Sequence, residues 1–204
     1  MKTRILAVLV VAVAGACSPA LPPMPTTVAA PDRADLVLVW VGRGEAQRWR
    51  DGRWQRDPSY DYEFSVVQRR YPDRWESIKS MHRRHPSYDG KAGARAQRCF
   101  FRLGLAPAPD GVALAVASNL GNGTGRTDRE FREATLEITP SQRGRFVPYD
   151  RFTLTQRYGY AEGRLDEVVE LTDAGAPFMR NEEHAVLFGS QQFTEAPTRF
   201  AIKD

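Results

Sequence analysis

Three histidines, one internal cysteine and a large excess of arginine are the residues of this 204-residue chain best equipped for chemistry. His82 and His85 stand three positions apart, so on a helix they would share a face and could ligate zinc together with His184 or Glu183. The spacing matches no zinc signature such as HExxH, and histidines beside Arg83 and Arg84 are accounted for by a helix C-terminus and solvent, so no metal is expected. Cys99 would be the nucleophile of a cysteine-histidine enzyme. It precedes Phe100 and Phe101 in an apolar run, however, where cysteine packs as a small apolar side chain. Serine chemistry finds no G-x-S-x-G pattern, since Gln192 stands where Ser190 would need a closing glycine. Gly121-Asn122-Gly123-Thr124-Gly125-Arg126-Thr127 has the glycine content of an anion-binding loop but neither the lysine nor the spacing of a phosphate loop. It reads as an exposed turn between strands.

Arginine outnumbers lysine 25 to 4, and residues 68–102 carry ten basic groups against three acidic ones. Residues 161–204 lean the other way, with nine carboxylates against four cations. Such halves partly neutralise each other as solvated faces. Guanidinium groups also suit bidentate capture of phosphate or carboxylate. Arg70, Arg74, His82, Arg83, Arg84 and His85 are therefore the first candidate contact face. Trp49 and Trp54, with arginines around them, are the second.

Positioning these residues falls to a chain that reads as mostly short strands. Leu36 to Val41 is a continuous apolar run fit for a buried strand. Asp51-Gly52 is the preferred type I′ hairpin dipeptide and pairs Trp49 with Trp54 and Arg50 with Arg53. Tyr60 to Gln68 alternates as a strand. The period then changes: Asp73 as N-cap, Glu76 three residues on, a Trp75, Ile78, Met81 stripe and the Pro86 stop predict one amphipathic helix near residues 73–85. Lys91 to Arg98 reads as a loop and Ser118 to Asp128 as another. Cys99 to Leu103, Val112 to Val116, Phe131 to Thr139 and Phe152 to Tyr160 read as strands. Leu165 to Leu171 fits a helical face or a strand and is assigned to a hairpin. Ala185 to Phe188 and Gln191 to Phe193 close the set. About eight or nine short strands and one helix predict a mainly β, α+β domain whose antiparallel sheet forms a barrel or sandwich.

The first residues concern location. Lys2 and Arg4 precede the apolar run Ile5 to Val13 and the small residues Ala14-Gly15-Ala16, which end at Cys17; this is signal-peptide architecture, too short to span a bilayer. Ala14-Gly15-Ala16-Cys17 resembles the lipobox of bacterial lipoproteins, although Ala14 replaces the usual leucine. The resemblance covers only these residues. It implies a diacylglyceryl group on Cys17, acylation of its amine, and a stable membrane anchor. In lipoproteins of Gram-negative bacteria a serine such as Ser18 after the modified cysteine, in place of aspartate, implies transfer to the outer membrane, so the expectation is an outer-membrane lipoprotein facing the periplasm. An ordinary A-x-A cleavage at the same bond would instead leave Cys17 free to pair with Cys99.

The chain thus divides into a signal peptide (1–16), a lipidated cysteine with a proline-rich tether (17–35) able to reach roughly 50 Å, and one globular domain (36–204). Net charge is +4 overall and falls to +2 once Lys2 and Arg4 leave. Two function classes follow. The favoured one is a non-catalytic envelope lipoprotein that binds or assembles with an envelope protein or an anionic envelope component, with no cofactor and no nucleic acid. The other is a periplasmic hydrolase or metal-dependent enzyme using His82, His85, His184 or Cys99.

Overall fold

Inward apolar and outward polar side chains alternate through nearly every strand, and the two faces close on themselves. A computed structural model describes residues 36–141 and 148–192. The segments expected to be a signal peptide and a tether, Cys17 between them, and Phe193 lie outside the described residues. The strands are β1 (Leu36–Arg50), β2 (Arg53–Arg56), β3 (Tyr62–Arg70), β4 (Arg74–His82), β5 (Ala96–Ala108), β6 (Gly111–Ser118), β7 (Gly121–Thr127), β8 (Glu133–Pro140), β9 (Arg151–Gly159), β10 (Arg164–Asp173) and β11 (Ala176–Gln192). Every pairing is antiparallel, neighbours follow chain order from β3 to β11, and β11 pairs with β1 to close a barrel of ten strands. The remaining strand, β2, continues the β1 hairpin past the barrel wall, with Trp49 opposite Trp54 and Arg50 opposite Arg53. Asp51 and Gly52 carry the positive φ values, 53° and 73°, that a type I′ turn needs.

Two apolar clusters fill the inside. One gathers Leu36, Leu38, Trp40, Phe64, Val66 and Leu187, and the other Phe101, Leu114, Leu136, Ile138, Phe152 and Leu171. The outside carries cross-strand ion pairs such as Arg151 with Glu137 at 3.3 Å and Arg157 with Glu133 at 3.2 Å. That polarity is the reverse of a barrel wall facing lipid. No helix among the described residues is long and apolar enough to cross a membrane.

The barrel's two ends differ. The turns after β3, β5, β7 and β9 and the start of β1 lie at one end, which is plugged. Arg70, only 2% exposed, lies there with its guanidinium 4.1 Å from the Trp75 ring centre and 4.9 Å from that of Tyr158. Its Nε and Nη2 donate to Gln68 Oε1. Trp75 leans on Phe131, whose carbonyl accepts from the Tyr160 hydroxyl at 2.7 Å. Aromatic faces and an amide thus stand in for a carboxylate around a buried cation.

The described residues hold eleven strands where eight or nine are expected, because segments read as a helix and as a loop are strands. Three local expectations need correction. Residues 74–82 are strand β4, paired with β3 and β5 along their length, and the described residues hold one short helix, α1 (Ala92–Arg95). The inward row of β4 is Trp75, Ser77, Lys79 and Met81; a buried lysine among apolar neighbours broke the alternation and let the Trp75, Ile78, Met81 spacing read as helical. Second, Gly121 to Thr127 is strand β7 rather than a turn. A Cβ on Gly123 would stand 1.9 Å from the Glu137 carbonyl oxygen, and one on Gly121 2.0 Å from that of Thr139, so the glycines let β8 close tightly over β7. Third, residues 91–98 are α1 followed by the start of β5, not a continuous loop.

Candidate functional site

The other end opens into a cavity of about 330 Å³, at the lower end of the ~300–1,000 Å³ typical of small-molecule sites. A barrel of eight strands has an interior just wide enough to be filled by side chains or to hold one small ligand; ten strands leave more room. The mouth is framed by Arg48 from β1, Tyr60 from the turn before β3, and Arg83 and Tyr88 from the β4–β5 connection. Below it, one wall is apolar, with Phe101, Leu136, Phe152, Leu154 and Leu171. The remaining lining is polar.

Those polar groups form a self-contained cluster that bridges the lumen, with Lys79 reaching from β4 to carboxyls on β10 and β11 across the ring. Lys79 from β4 donates to Glu167 Oε2 of β10 at 2.9 Å and to Glu183 of β11. The Tyr62 hydroxyl donates to Glu183 Oε1, and the Gln156 amide to Glu167 Oε1. Glu167 and Glu183 are 3% and 1% exposed. Burial pushes Glu183 up to about 8, helped by the Glu167 charge and against the pull of Lys79, so at neutral pH this carboxyl keeps its proton. Burial also opposes ionisation of Glu167, but Lys79 and its hydrogen bonds outweigh it and hold its pKa below the usual carboxylate range. Lys79 stays charged because the two carboxyls outweigh its burial. One cation and one anion therefore face each other, with Glu183 as a neutral donor toward Glu167.

The sequence-predicted residues scatter. Arg70 is inside the plugged end, not on a contact face. Arg74 lies outside that same end, 3.0 Å from Asp73 and 3.2 Å from Glu76. Arg83 is the one residue of that group that reaches the cavity, its Nη1 donating to the carbonyl of Ala94 and to Gln97 Oε1, both at 2.9 Å. His82, Arg84 and His85 are exposed near the mouth, with Arg84 paired to Glu63 and His85 capping the turn at Ser87. Trp49 and Trp54 pack edge to face at 5.1 Å on the hairpin. His184 is on the outer face with Asp166 at 2.7 Å. Its row runs His184, Arg43, Glu63, His82 across β11, β1, β3 and β4. At ~4.8 Å per strand the two histidines are roughly 14 Å apart along the sheet, too far to share a metal. Cys99 points into the barrel, away from the three histidines, and burial raises its thiol to about 11, which suppresses the thiolate. These residues do not converge on a reaction centre.

Lys79, Glu167, Tyr62 and Gln156 are the site residues that sequence reasoning passes over; it names Glu183 only as a possible zinc ligand and counts Arg48 only among the arginines around the Trp49–Trp54 pair. Their signal is a charge in phase with the apolar positions: Glu167 between Leu165 and Val169, and Glu183 between Met179 and Leu187 at period two. A solvated strand face would put them out of phase. No protein family matches this chain, and no curated protein is similar to it in sequence.

Proposed function

We propose that this chain is an envelope lipoprotein, held at a membrane through Cys17, whose barrel binds a small, largely apolar molecule in its lumen. The observation that carries the reading is the open cavity: it combines an apolar wall with a few fixed polar groups, the composition of ligand sites rather than of a packed core. The scatter of His82, His85, His184 and Cys99 favours binding over hydrolysis. The topology also suits a tethered binder. β1 starts at the plugged end, so a tether joined to residue 36 leaves the mouth facing away from the lipid surface.

Native mass spectrometry of the full chain, recovered from envelope membranes in mild detergent, tests both parts. The expected result is a retained molecule of a few hundred daltons, absent from Leu120→Trp and Val169→Phe, which narrow the cavity at the mouth and the middle. Digestion should yield an N-terminal peptide that begins at an acylated Cys17. An empty wild-type barrel, or one that retains the molecule equally in both variants, overturns the binding reading, and an unmodified Cys17 overturns the anchor.

A further inference from the structure

Resting on that reading, the ligand's class follows from the charges at the mouth. Arg48 and Arg83 both line the cavity. Neither pairs with a carboxylate among the described residues. The Arg48 guanidinium lies 4.3 Å from the Phe178 ring centre and 5.4 Å from that of Tyr60, and Arg83 lies 5.9 Å and 5.4 Å from those of Tyr62 and Tyr88. Rings lie against both cations: the Arg48 side chain makes no hydrogen bond among the described residues, whereas Arg83 commits Nη1 to the Ala94 carbonyl and Gln97 and keeps Nη2 and Nε for a ligand. The Arg83 Nε is enclosed and has no acceptor. Asn181, 7% exposed and lining the same cavity, has an enclosed Oδ1 without a donor. Buried polar atoms without partners are rare in folded proteins and mark the place of a missing partner.

The charged groups deeper in the lumen are already paired. Glu167 and Glu183 are the only carboxylates among the described cavity-lining residues, and both are taken up by Lys79, Tyr62 and Gln156. Lys79 in turn spends its charge on those two carboxyls. The free positive charge is therefore concentrated at the mouth, while the space below it is bounded by Phe101, Leu136, Phe152 and Leu154. We infer that the lumen takes a single-chain amphiphile with an anionic head: the head pairs with Arg48 and Arg83, Asn181 meets a polar atom next to the head, and the chain lies along the apolar wall. At the ~30 Å³ that a water-sized group occupies in a liquid, the cavity holds roughly eleven non-hydrogen atoms. A ten-carbon chain fits.

Isothermal titration of the mature chain, residues 17–204 carrying Cys17→Ser and made without the signal peptide so that no detergent is needed, uses decanoate, decyl phosphate, decanol and decylamine as probes. Decanoate or decyl phosphate should bind at least tenfold more tightly than decanol, with decylamine the weakest, and the tighter of the two anions tells a carboxylate head from a phosphate monoester. Arg48→Gln, whose side chain makes no hydrogen bond among the described residues, should weaken the anion severalfold, and its combination with Arg83→Gln more than tenfold, with decanol changed less than twofold. Unaltered urea midpoints show that the variants are folded. If decanol matches the anions, or the arginine variants bind them normally, the anionic-head inference is wrong while lumen binding stands. If no probe binds, or Leu120→Trp binds all four as well as wild type, lumen binding fails as well.

Discussion

Replacing Glu183 by glutamine should change how stability depends on pH more than it changes stability itself. Glu183 has an ordinary carboxyl pKa of 4.5 when unfolded and about 8 in the barrel, because burial disfavours its charge. A group whose folded pKa is raised contributes stability that is fully present below its unfolded value and lost as pH rises through its folded value. The window is therefore pH 4.5 to 8. At ~1.4 kcal/mol per tenfold, the span corresponds to at most about 5 kcal/mol. Glu167 acts in the opposite sense, being stabilising above its unfolded pKa and losing that contribution in acid, so it does not mask the loss on the alkaline side. Glutamine at 183 has one acceptor oxygen where glutamate has two, so it keeps the hydrogen bond from Tyr62 or the one from Lys79 and loses the other, while Lys79 keeps Glu167. At pH 5 the variant should lie within ~1 kcal/mol of wild type, the usual net value of a hydrogen bond. At pH 8.5 it should be the more stable of the two by several kcal/mol. Urea unfolding followed through the buried Trp40 and Trp75 measures this. Parallel wild-type and variant curves from pH 5 to 8.5 would refute a protonated Glu183.

Lys79→Met removes the cation between two buried carboxyls and should cost about 3–5 kcal/mol at pH 7, with less loss at pH 5 where the carboxyls are protonated; the same urea titration reads it. Gly123→Ala forces a Cβ onto the Glu137 carbonyl, backbone against backbone, and should lower stability by roughly 3 kcal/mol or more, seen as a shifted melting temperature. Cys99 should resist alkylation by iodoacetamide in the native barrel and react only on unfolding, which mass spectrometry resolves; rapid native labelling would mean that the interior is open to reagent at β5. Trp54→Ala loses the edge-to-face partner of Trp49 on a hairpin beyond the barrel, so the cost should stay near 1 kcal/mol and leave ligand binding unchanged.

The strands that sequence reasoning locates correctly are those whose inward rows keep an apolar residue at most positions. Phe152, Leu154 and Tyr158 lie on a real inward face, and the Asp51-Gly52 turn set its register from two residues, because a type I′ turn leaves no alternative pairing. The failures fall where the lumen departs from a packed core. Lys79 hid β4, and Glu167 made Leu165 to Leu171 equally readable as a helix. Three inward glycines hid β7, since a strand with no side chains on its inner face has no hydrophobic period. Arg70 was placed on a surface because a charged residue next to Arg69 reads as solvated, and nothing local announces a cage made by Trp75 and Tyr158 from other strands.

The same residues that defeat the pattern also define the cavity, and the link is physical. An all-apolar inner wall in a ten-strand barrel would be free to collapse inward and fill the space, since apolar contact has no preferred direction. A lysine held between two carboxyls resists this, because Lys79, Glu167, Glu183, Tyr62 and Gln156 are satisfied only in one arrangement, across β3, β4, β9, β10 and β11. Beside this bridge, bulky side chains of β5, β8 and β9 line the cavity it leaves open. Replacing Lys79, Glu167 and Glu183 together by Met, Leu and Leu should then raise stability over Lys79→Met alone, as apolar substitutes for a buried ion cluster commonly do. It should also reduce retention of any lumen ligand, because the freed wall can close on the apolar one. A triple variant that kept both its stability and its full ligand affinity would show that the cluster is not what keeps the barrel open.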